Sequence, residues 1–234
     1  MNFLKAEWRK LAIINYEIDP QILLKYLPKG TELDFYQGKC YVSLVGFMFL
    51  NTKLLGIPVP FHRDFEEVNL RFYVKKKENG AWKRGVVFIK EIVPKPALSF
   101  IANSVYKENY HTLPMKNCIH EKEGELLIKY SWKDKNWHSI QIKADSTAQP
   151  MEDGSEFEFI TEHYWGFTKK ENRTSEYEVC HPKWDFYSVK EHQLEIDFEK
   201  IYGKDFECLN HQKPISVMLA EGSGVQVKVK SNVV

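Results

Sequence analysis

The sequence predicts an α+β fold built mostly of antiparallel β-sheet, with a few short helices. Many segments of strand length, apolar or alternating, follow one another at close intervals between turn residues. Aromatic residues make up 14% of the 234 residues, and aromatic side chains favour strands. No internal repeat or linker interrupts the pattern. We therefore expect one domain over residues 1–234, with its sheet closed or nearly closed into a barrel.

The first elements are predicted to be a strand, a short helix and a hairpin. Asp19 is a suitable N-cap and Pro20 a suitable first helical residue, so the helix is expected over residues 21–26. The second hairpin arm is almost wholly apolar, which indicates a strand buried on both faces. The strand is expected at residues 8–16, the hairpin arms at 33–36 and 39–50, and a Gly- and Pro-containing loop at 54–63.

Residues 65–74 are predicted to form a strand, and polar and apolar side chains alternate over residues 67–74. Such alternation alone is typical of a strand with its polar face in water and its apolar face on the core. The polar side chains are Glu67, Asn69, Arg71 and Tyr73. A turn then leads to a strand at residues 84–93, and a helical stripe follows over 94–106.

The remaining chain is predicted to be mostly strands. The secondary structure of residues 189–202 is less clear from the pattern, with a short helix near 198–202. Gly222-Ser223-Gly224 is interpreted as a turn. The strands are expected at residues 125–132, 138–143, 157–167, 175–180, 214–220 and 225–229.

Charge and cysteine content restrict the partners and the compartment. The formal net charge is +1, without the basic excess typical of nucleic-acid binding, and no stretch has the length needed to span a bilayer. Four well-separated cysteines can form disulfides in a secreted protein, but the charged N-terminus lacks an apolar signal core. We expect a cytoplasmic protein with reduced thiols, no nucleic-acid partner and no membrane partner.

Several stretches together resemble one known family. The most specific is Phe65-Glu66-Glu67-Val68-Asn69-Leu70-Arg71-Phe72-Tyr73-Val74; the others lie at residues 16–34, 41–47, 85–94, 108–115, 163–167, 181–184 and 216–223. They resemble the YqjF-like family (domain of unknown function 2071) of the acetoacetate-decarboxylase-like superfamily. The resemblance implies an antiparallel sheet curled into a barrel or cone around a central cavity. It implies no known reaction.

The fold implied by the resemblance gives the polar strand a second interpretation. A ligand-holding barrel can place polar groups inside, which makes Asn69, Arg71 and Tyr73 candidates for ligand binding. A buried Arg71 needs a carboxylate partner, and Glu67 and Glu91 are candidates. A carboxylate ligand also suits the planar fork of its guanidinium group.

The resemblance also suggests candidate catalytic residues. In acetoacetate decarboxylases a lysine after a Glu and a Pro forms a Schiff base with the substrate ketone; Lys95 is similarly placed, and Glu67 is similar to a decarboxylase active-site glutamate. The sequence departs from that pattern, since Glu91 and Lys95 are closer together and Pro96 replaces the second lysine. A solvent-exposed Lys95 is the simpler alternative. Lys90 is a weaker candidate, on the strand face opposite Glu91.

Histidines and aromatic residues form a further candidate set. His163 and His181, with Tyr110, are candidate acid–base groups or pocket walls, although packing is the commoner role for such residues. Metal-ligand spacings such as HxH or HExxH are absent, and so are the GxGxxG, phosphate-loop and GxSxG motifs. We therefore expect no metal and no cofactor.

Two functional hypotheses follow. The first is a small-molecule-binding barrel whose ligand is a small molecule, in one version a carboxylate. The alternative is a Schiff-base decarboxylase- or aldolase-like enzyme for a small keto acid, in which Lys95 is the nucleophile, Glu67 handles protons and Arg71 binds the carboxylate. The sequence leaves the ligand and the oligomeric state open.

Overall fold

Seven strands form a closed ring in the computed structural model, which describes residues 2–58, 62–97, 99, 103, 109–170 and 173–233. The order around the ring is β1-β4-β6-β7-β12-β13-β15, and β15 pairs with β1 to close it. Neighbours are antiparallel except β7 and β12, which pair in parallel where Trp165 lies opposite Gly85. The ring strands are β1 (Asn2–Glu17), β4 (Lys39–Leu54), β6 (Phe65–Glu78), β7 (Ala81–Val93), β12 (Trp165–Lys170), β13 (Arg173–Cys180) and β15 (Ser216–Val233).

A second layer of strands extends from the ring. The first part of β15 pairs with β14, and the sheet continues through β11 and β10 to β9. These strands are β9 (Met115–Lys122), β10 (Glu125–Lys133), β11 (Trp137–Gln149) and β14 (Phe186–Glu195). The short strands are β2 (Glu32–Leu33), β3 (Phe35–Tyr36), β5 (Ile57–Pro58) and β8 (Tyr110–Thr112); the helices are α1 (Pro20–Leu23), α2 (Glu156–Thr161) and α3 (Phe198–Tyr202), with 3₁₀ helices at Leu24–Tyr26 and Lys204–His211.

The second layer packs on the outer face of the ring and buries its apolar side chains. Gly46 of β4 allows this approach, because a Cβ there would lie 2.9 Å from the ring of Tyr130 on β10. The Tyr130 hydroxyl donates to the Lys10 carbonyl oxygen at 2.8 Å. The larger apolar core lies between the layers and includes Val68, Leu70, Phe72 and Val74 of β6.

Both faces of β6 are therefore buried. Its apolar face contacts the second layer, and its polar face lines the inside of the ring, where Glu67 is 2% and Asn69 1% exposed. The interpretation from alternation alone, a polar face in water, is wrong. The interpretation from the family resemblance, a polar face inside a barrel, is correct.

Most predicted elements are present, with some corrections. The predicted helix is confirmed, and the Asp19 side chain accepts a hydrogen bond from the Gln21 backbone at 2.9 Å. Residues 157–167 are a helix followed by a strand, and Gly222-Ser223-Gly224 lies within β15. Strands β9 and β14 were not predicted. Most of the stripe predicted over residues 94–106, including Phe100, Ile101, Val105 and Tyr106, lies outside the described residues.

Within the described ranges, no helix is both long enough and apolar enough to cross a membrane.

Candidate functional site

A cavity of about 130 Å³ lies inside the ring, close to the size of cavities that hold a molecule such as benzene. Its walls are largely apolar and aromatic, and its polar groups come from β6, β7 and the segments around β12 and β13. This combination of apolar walls with a few converging polar groups is typical of small-molecule sites. The apolar lining includes Leu4, Trp8, Phe47, Phe49, Phe65, Phe88, Trp165, Tyr177 and Trp184.

One side of the cavity is a polar row across β6, β7 and β8. Asn69 lies opposite Glu91, and Glu91 lies opposite Tyr110. The Asn69 amide donates to Glu67 Oε1 at 2.9 Å, and the Tyr110 hydroxyl donates to Glu67 Oε2 at 3.1 Å. Both glutamates are 2% exposed, so two buried carboxyl groups border the cavity.

Arg71 brings a buried guanidinium group to the same cavity. Its Nη2 donates to the Ile160 carbonyl oxygen at 3.3 Å, and its guanidinium carbon lies 5.7 Å from the centre of the Tyr73 ring. In the described part of the chain, no carboxylate forms an ion pair with Arg71, and its buried Nε has no hydrogen-bond partner. An isolated buried charge is unfavourable, so this group is suited to an anionic ligand.

His163 lines the cavity and is oriented by a carboxylate behind it. Its Nε2 lies 3.2 Å from Asp34 Oδ2, which also accepts a hydrogen bond from Arg84 Nε at 2.7 Å. Burial raises the pKa of Asp34, but the hydrogen bonds from His163 and Arg84 outweigh burial, so the net shift is downward. Burial lowers the pKa of His163 to about 4, which keeps its imidazole neutral at pH 7.

His181 is the second histidine of the lining. Its Nδ1 lies 2.9 Å from the Pro182 carbonyl oxygen, and its ring stacks on Trp184 with the ring centres 4.1 Å apart. Burial lowers the pKa of His181 to about 4. A neutral His181 donates through Nδ1 to the carbonyl, so its Nε2 is a hydrogen-bond acceptor.

The structure brings most of the candidate site residues together. Seven of them line the cavity: Glu67, Asn69, Arg71, Glu91, Tyr110, His163 and His181. Tyr73 lies behind the lining, where its hydroxyl is 2.7 Å from Ser43 Oγ and its ring centre is 4.9 Å from that of His163. It supports the site instead of facing a ligand.

The candidate lysines lie elsewhere. Lys95 follows the end of β7, is half-buried and is not part of the lining; its carbonyl accepts a hydrogen bond from the Ser99 backbone at 3.3 Å. Lys90 is directed away from the cavity, as expected, and donates to the Ile201 carbonyl oxygen. Burial lowers the pKa of Lys90. Among the described lining residues there is no lysine.

Sequence reasoning missed Asp34, Arg84 and Trp8 as parts of the site. Asp34 lies in one of the family-like stretches, but nothing in its local pattern connects it with His163, 129 positions later in the chain. No group of three or more His, Cys, Asp or Glu side chains in the described ranges is arranged to hold a metal ion.

Comparison with known proteins identifies the family. The model of DUF2071, described as an uncharacterized conserved protein, matches residues 5–224. The chain belongs to this family. The uncharacterized protein YqjF of Bacillus subtilis is 29% identical over 189 residues, which cover 77% of this chain and 74% of YqjF.

Solved structures confirm the fold of this DUF2071 protein. The acetoacetate decarboxylase of Legionella pneumophila superposes with a TM-score of 0.65 at 15% identity, covering 98% of this chain and 88% of that chain. The enduracididine biosynthesis enzyme MppR, complexed with pyruvate, gives a TM-score of 0.62 at 10% identity, covering 100% of this chain and 90% of that chain. At such identities the likeness establishes the fold alone, an acetoacetate-decarboxylase-like one, as predicted.

Proposed function

We propose that the cavity binds a small carboxylic acid through Arg71. The observation that supports this most is a guanidinium group, 8% exposed, that lines the cavity and has no ion pair among the described residues. A carboxylate would accept from the unpartnered Nε and neutralise the charge. The volume of about 130 Å³ suits a ligand of only a few heavy atoms.

The aromatic walls would bind the carbon part of such a ligand. Trp8, Phe47 and Phe49 are in edge contact, with Trp8 centred 5.3 Å from Phe47 and 5.7 Å from Phe49. Aromatic walls exclude water, which strengthens a charge-assisted hydrogen bond at Arg71. Pyruvate, bound by the structurally similar MppR, belongs to the same chemical class of small carboxylates.

The alternative remains an enzyme that forms a Schiff base with a keto acid. The similar fold of acetoacetate decarboxylase favours it. It requires an amine at the cavity, and the described lining contains Glu67 and Arg71 but no lysine. Binding without Schiff-base chemistry is therefore the better-supported proposal.

A thermal-stability screen with matched ligands tests the proposal. Propionate, lactate, pyruvate and acetoacetate are each compared with propionamide, which has nearly the same shape as propionate and no charge. At a hundred times Kd, a binding acid should add about 2.7 kcal/mol to the free energy of unfolding, whereas propionamide should add almost nothing.

Two methionine variants separate site binding from general charge effects. Arg71→Met should reduce the stabilisation by the same concentrations of acid to about 1 kcal/mol or less, and Arg173→Met, which changes an exposed arginine on β13, should leave it intact. Equal stabilisation by acids in the parent protein and Arg71→Met would contradict the proposal, as would the absence of any effect of these acids on the parent protein.

A further inference from the structure

Arg71 is not alone in lacking a partner inside the cavity. Among the described residues, the buried atoms Asn69 Oδ1 and His163 Nδ1 also have no hydrogen-bond partner, and both residues line the cavity, as do the unpartnered Trp8 Nε1 and Thr52 Oγ1. Asn69 precedes Arg71 by two positions on β6 and so lies on the same face. His163 and Arg71 both contact the Tyr73 ring, at 4.9 Å and 5.7 Å. Arg71 is therefore adjacent to both Asn69 and His163, and all three residues line the cavity.

The unpartnered atom of Asn69 is a hydrogen-bond acceptor. Its amide nitrogen lies 2.9 Å from Glu67 Oε1, and the opposite amide orientation would place two oxygens against each other. The nitrogen therefore donates to Glu67, and Oδ1 keeps its lone pairs. This side chain is 1% exposed.

The unpartnered atom of His163 is an acceptor as well. Asp34 accepts from Arg84 Nε at 2.7 Å and is only an acceptor when ionised, so the imidazole proton is on Nε2. Burial lowers the pKa of His163 to about 4, so at neutral pH the ring has this one proton. Nδ1 thus presents a lone pair.

This pattern distinguishes among small acids by the group beside the carboxylate. A keto oxygen only accepts hydrogen bonds, so it would leave both acceptors unpartnered. A hydroxyl group can donate to either of them. Buried acceptors that stay unpaired are unfavourable, which makes them an effective basis for discrimination.

We propose that the ligand is a hydroxy acid, whose carboxylate binds Arg71 and whose hydroxyl groups donate to His163 Nδ1 and Asn69 Oδ1. This inference rests on the proposed binding of a carboxylate at Arg71. In it, Asp34 and Arg84 are positioning residues, because they fix the proton of His163 on the nitrogen directed away from the ligand. The inference assigns the two acceptors a role that a keto-acid site would not give them.

Calorimetric titration with matched acids tests the inference. Propionate, pyruvate, lactate and glycerate share a short chain and one carboxylate, and they differ in carrying no oxygen substituent, a ketone, one hydroxyl and two hydroxyls. Lactate should bind at least about tenfold more tightly than pyruvate, and glycerate more tightly than lactate. Alanine, with an ammonium donor at the same carbon, should bind more weakly than lactate, because its positive charge would lie beside the Arg71 guanidinium group.

Two independent variants remove one acceptor each. Asn69→Leu and His163→Phe should each abolish the advantage of glycerate over lactate, and the double variant should bind lactate no more than about threefold more tightly than pyruvate, because a single hydroxyl can use either acceptor. His138→Phe is the matched control: His138 is also buried and bonded to a carboxylate, Asp134 at 3.0 Å, but it lies on β11 away from the cavity. Its preference should equal that of the parent. Asn69→Leu keeps the test valid if His163→Phe does not fold.

The outcomes separate this inference from the proposed function. Equal affinity for lactate and pyruvate, or a lactate preference that survives in the double variant, would overturn the hydroxy-acid inference and leave carboxylate binding in place. Tighter binding of alanine than of lactate would overturn it in favour of an amino acid. If none of the acids binds the parent protein, the proposed function itself fails.

Discussion

Replacing Arg71 with methionine removes a buried positive charge and keeps an unbranched side chain inside the ring of strands. The charge is 8% exposed, and no carboxylate pairs with it within the described ranges. Taking a charge out of water is unfavourable by several kcal/mol even in real proteins, and this penalty disappears in the variant. The unpartnered Nε destabilises the parent protein by about 1–3 kcal/mol, and this penalty is also absent from the variant.

Two favourable contacts are lost with the side chain. The hydrogen bond to the Ile160 carbonyl oxygen, at 3.3 Å, contributes about 1.5–3 kcal/mol at most. The contact with the Tyr73 ring, at 5.7 Å, adds about 1–2 kcal/mol. The unfavourable and favourable contributions of Arg71 are similar in size. The free energy of unfolding of Arg71→Met should therefore equal that of the parent protein or be up to about 2 kcal/mol higher.

Urea unfolding at pH 7 without added acid measures this difference. The exposed control Arg173→Met should change the free energy of unfolding by less than about 0.5 kcal/mol. Affinity for carboxylates should respond in the opposite direction, with Arg71→Met weakening binding at least about 30-fold, since truncating one partner of a buried charge pair costs about 2 kcal/mol or more. A loss of stability of about 3 kcal/mol or more would refute the reasoning, because it would mean that Arg71 belongs to a structural ion pair.

Three further predictions test other parts of the account. Because burial lowers the pKa of His163 to about 4, the unfolded chain takes up this proton first as pH falls. Stability should therefore decrease between about pH 6.5 and pH 4 by up to about 3 kcal/mol, and His163→Gln should lose that share of the acid sensitivity; an identical pH profile would contradict the burial of a neutral ring. At Gly222, with φ of +81°, a Cβ would lie 2.0 Å from the Trp8 carbonyl oxygen, whereas at Gly224 it would meet no described neighbour within 4 Å. In urea unfolding Gly222→Ala should lose about 2–4 kcal/mol and Gly224→Ala almost nothing; equal effects would contradict the close approach of β15 to β1. Borohydride treatment with acetoacetate or pyruvate should leave Lys95 without an adduct in peptide mass spectra, and a stable adduct there would favour the enzyme alternative.

The sequence predicts the positions of the strands better than it predicts what covers each strand face. Alternation over residues 67–74 identifies β6 and its two faces, but it cannot say what covers the polar face, because a solvated face and a cavity face have the same period. The family resemblance supplied that information. β9 was missed because its side chains are largely exposed, which leaves little apolar periodicity to detect.

Sequence reasoning likewise found the site residues that share one strand and missed some of those that meet only in the folded chain. Glu67, Asn69 and Arg71 were found because they lie on one strand, where spacing in sequence determines spacing in the fold. Asp34 was missed because it meets His163 only through ring closure, which brings distant segments together. Lys95 was suggested by its position after Glu91 and Pro94, and the chain leaves the strand before it reaches that lysine.

Nuclear magnetic resonance of the arginine side chains tests carboxylate binding by Arg71 most directly. The Nε–H signal that is absent from the Arg71→Met spectrum identifies this residue. During titration with lactate or propionate, that signal should shift downfield and saturate, because its unpartnered donor gains a charged acceptor, and propionamide should leave it unchanged. If the signal stays in place while the acids bind, or if no acid binds at all, the central claim is contradicted.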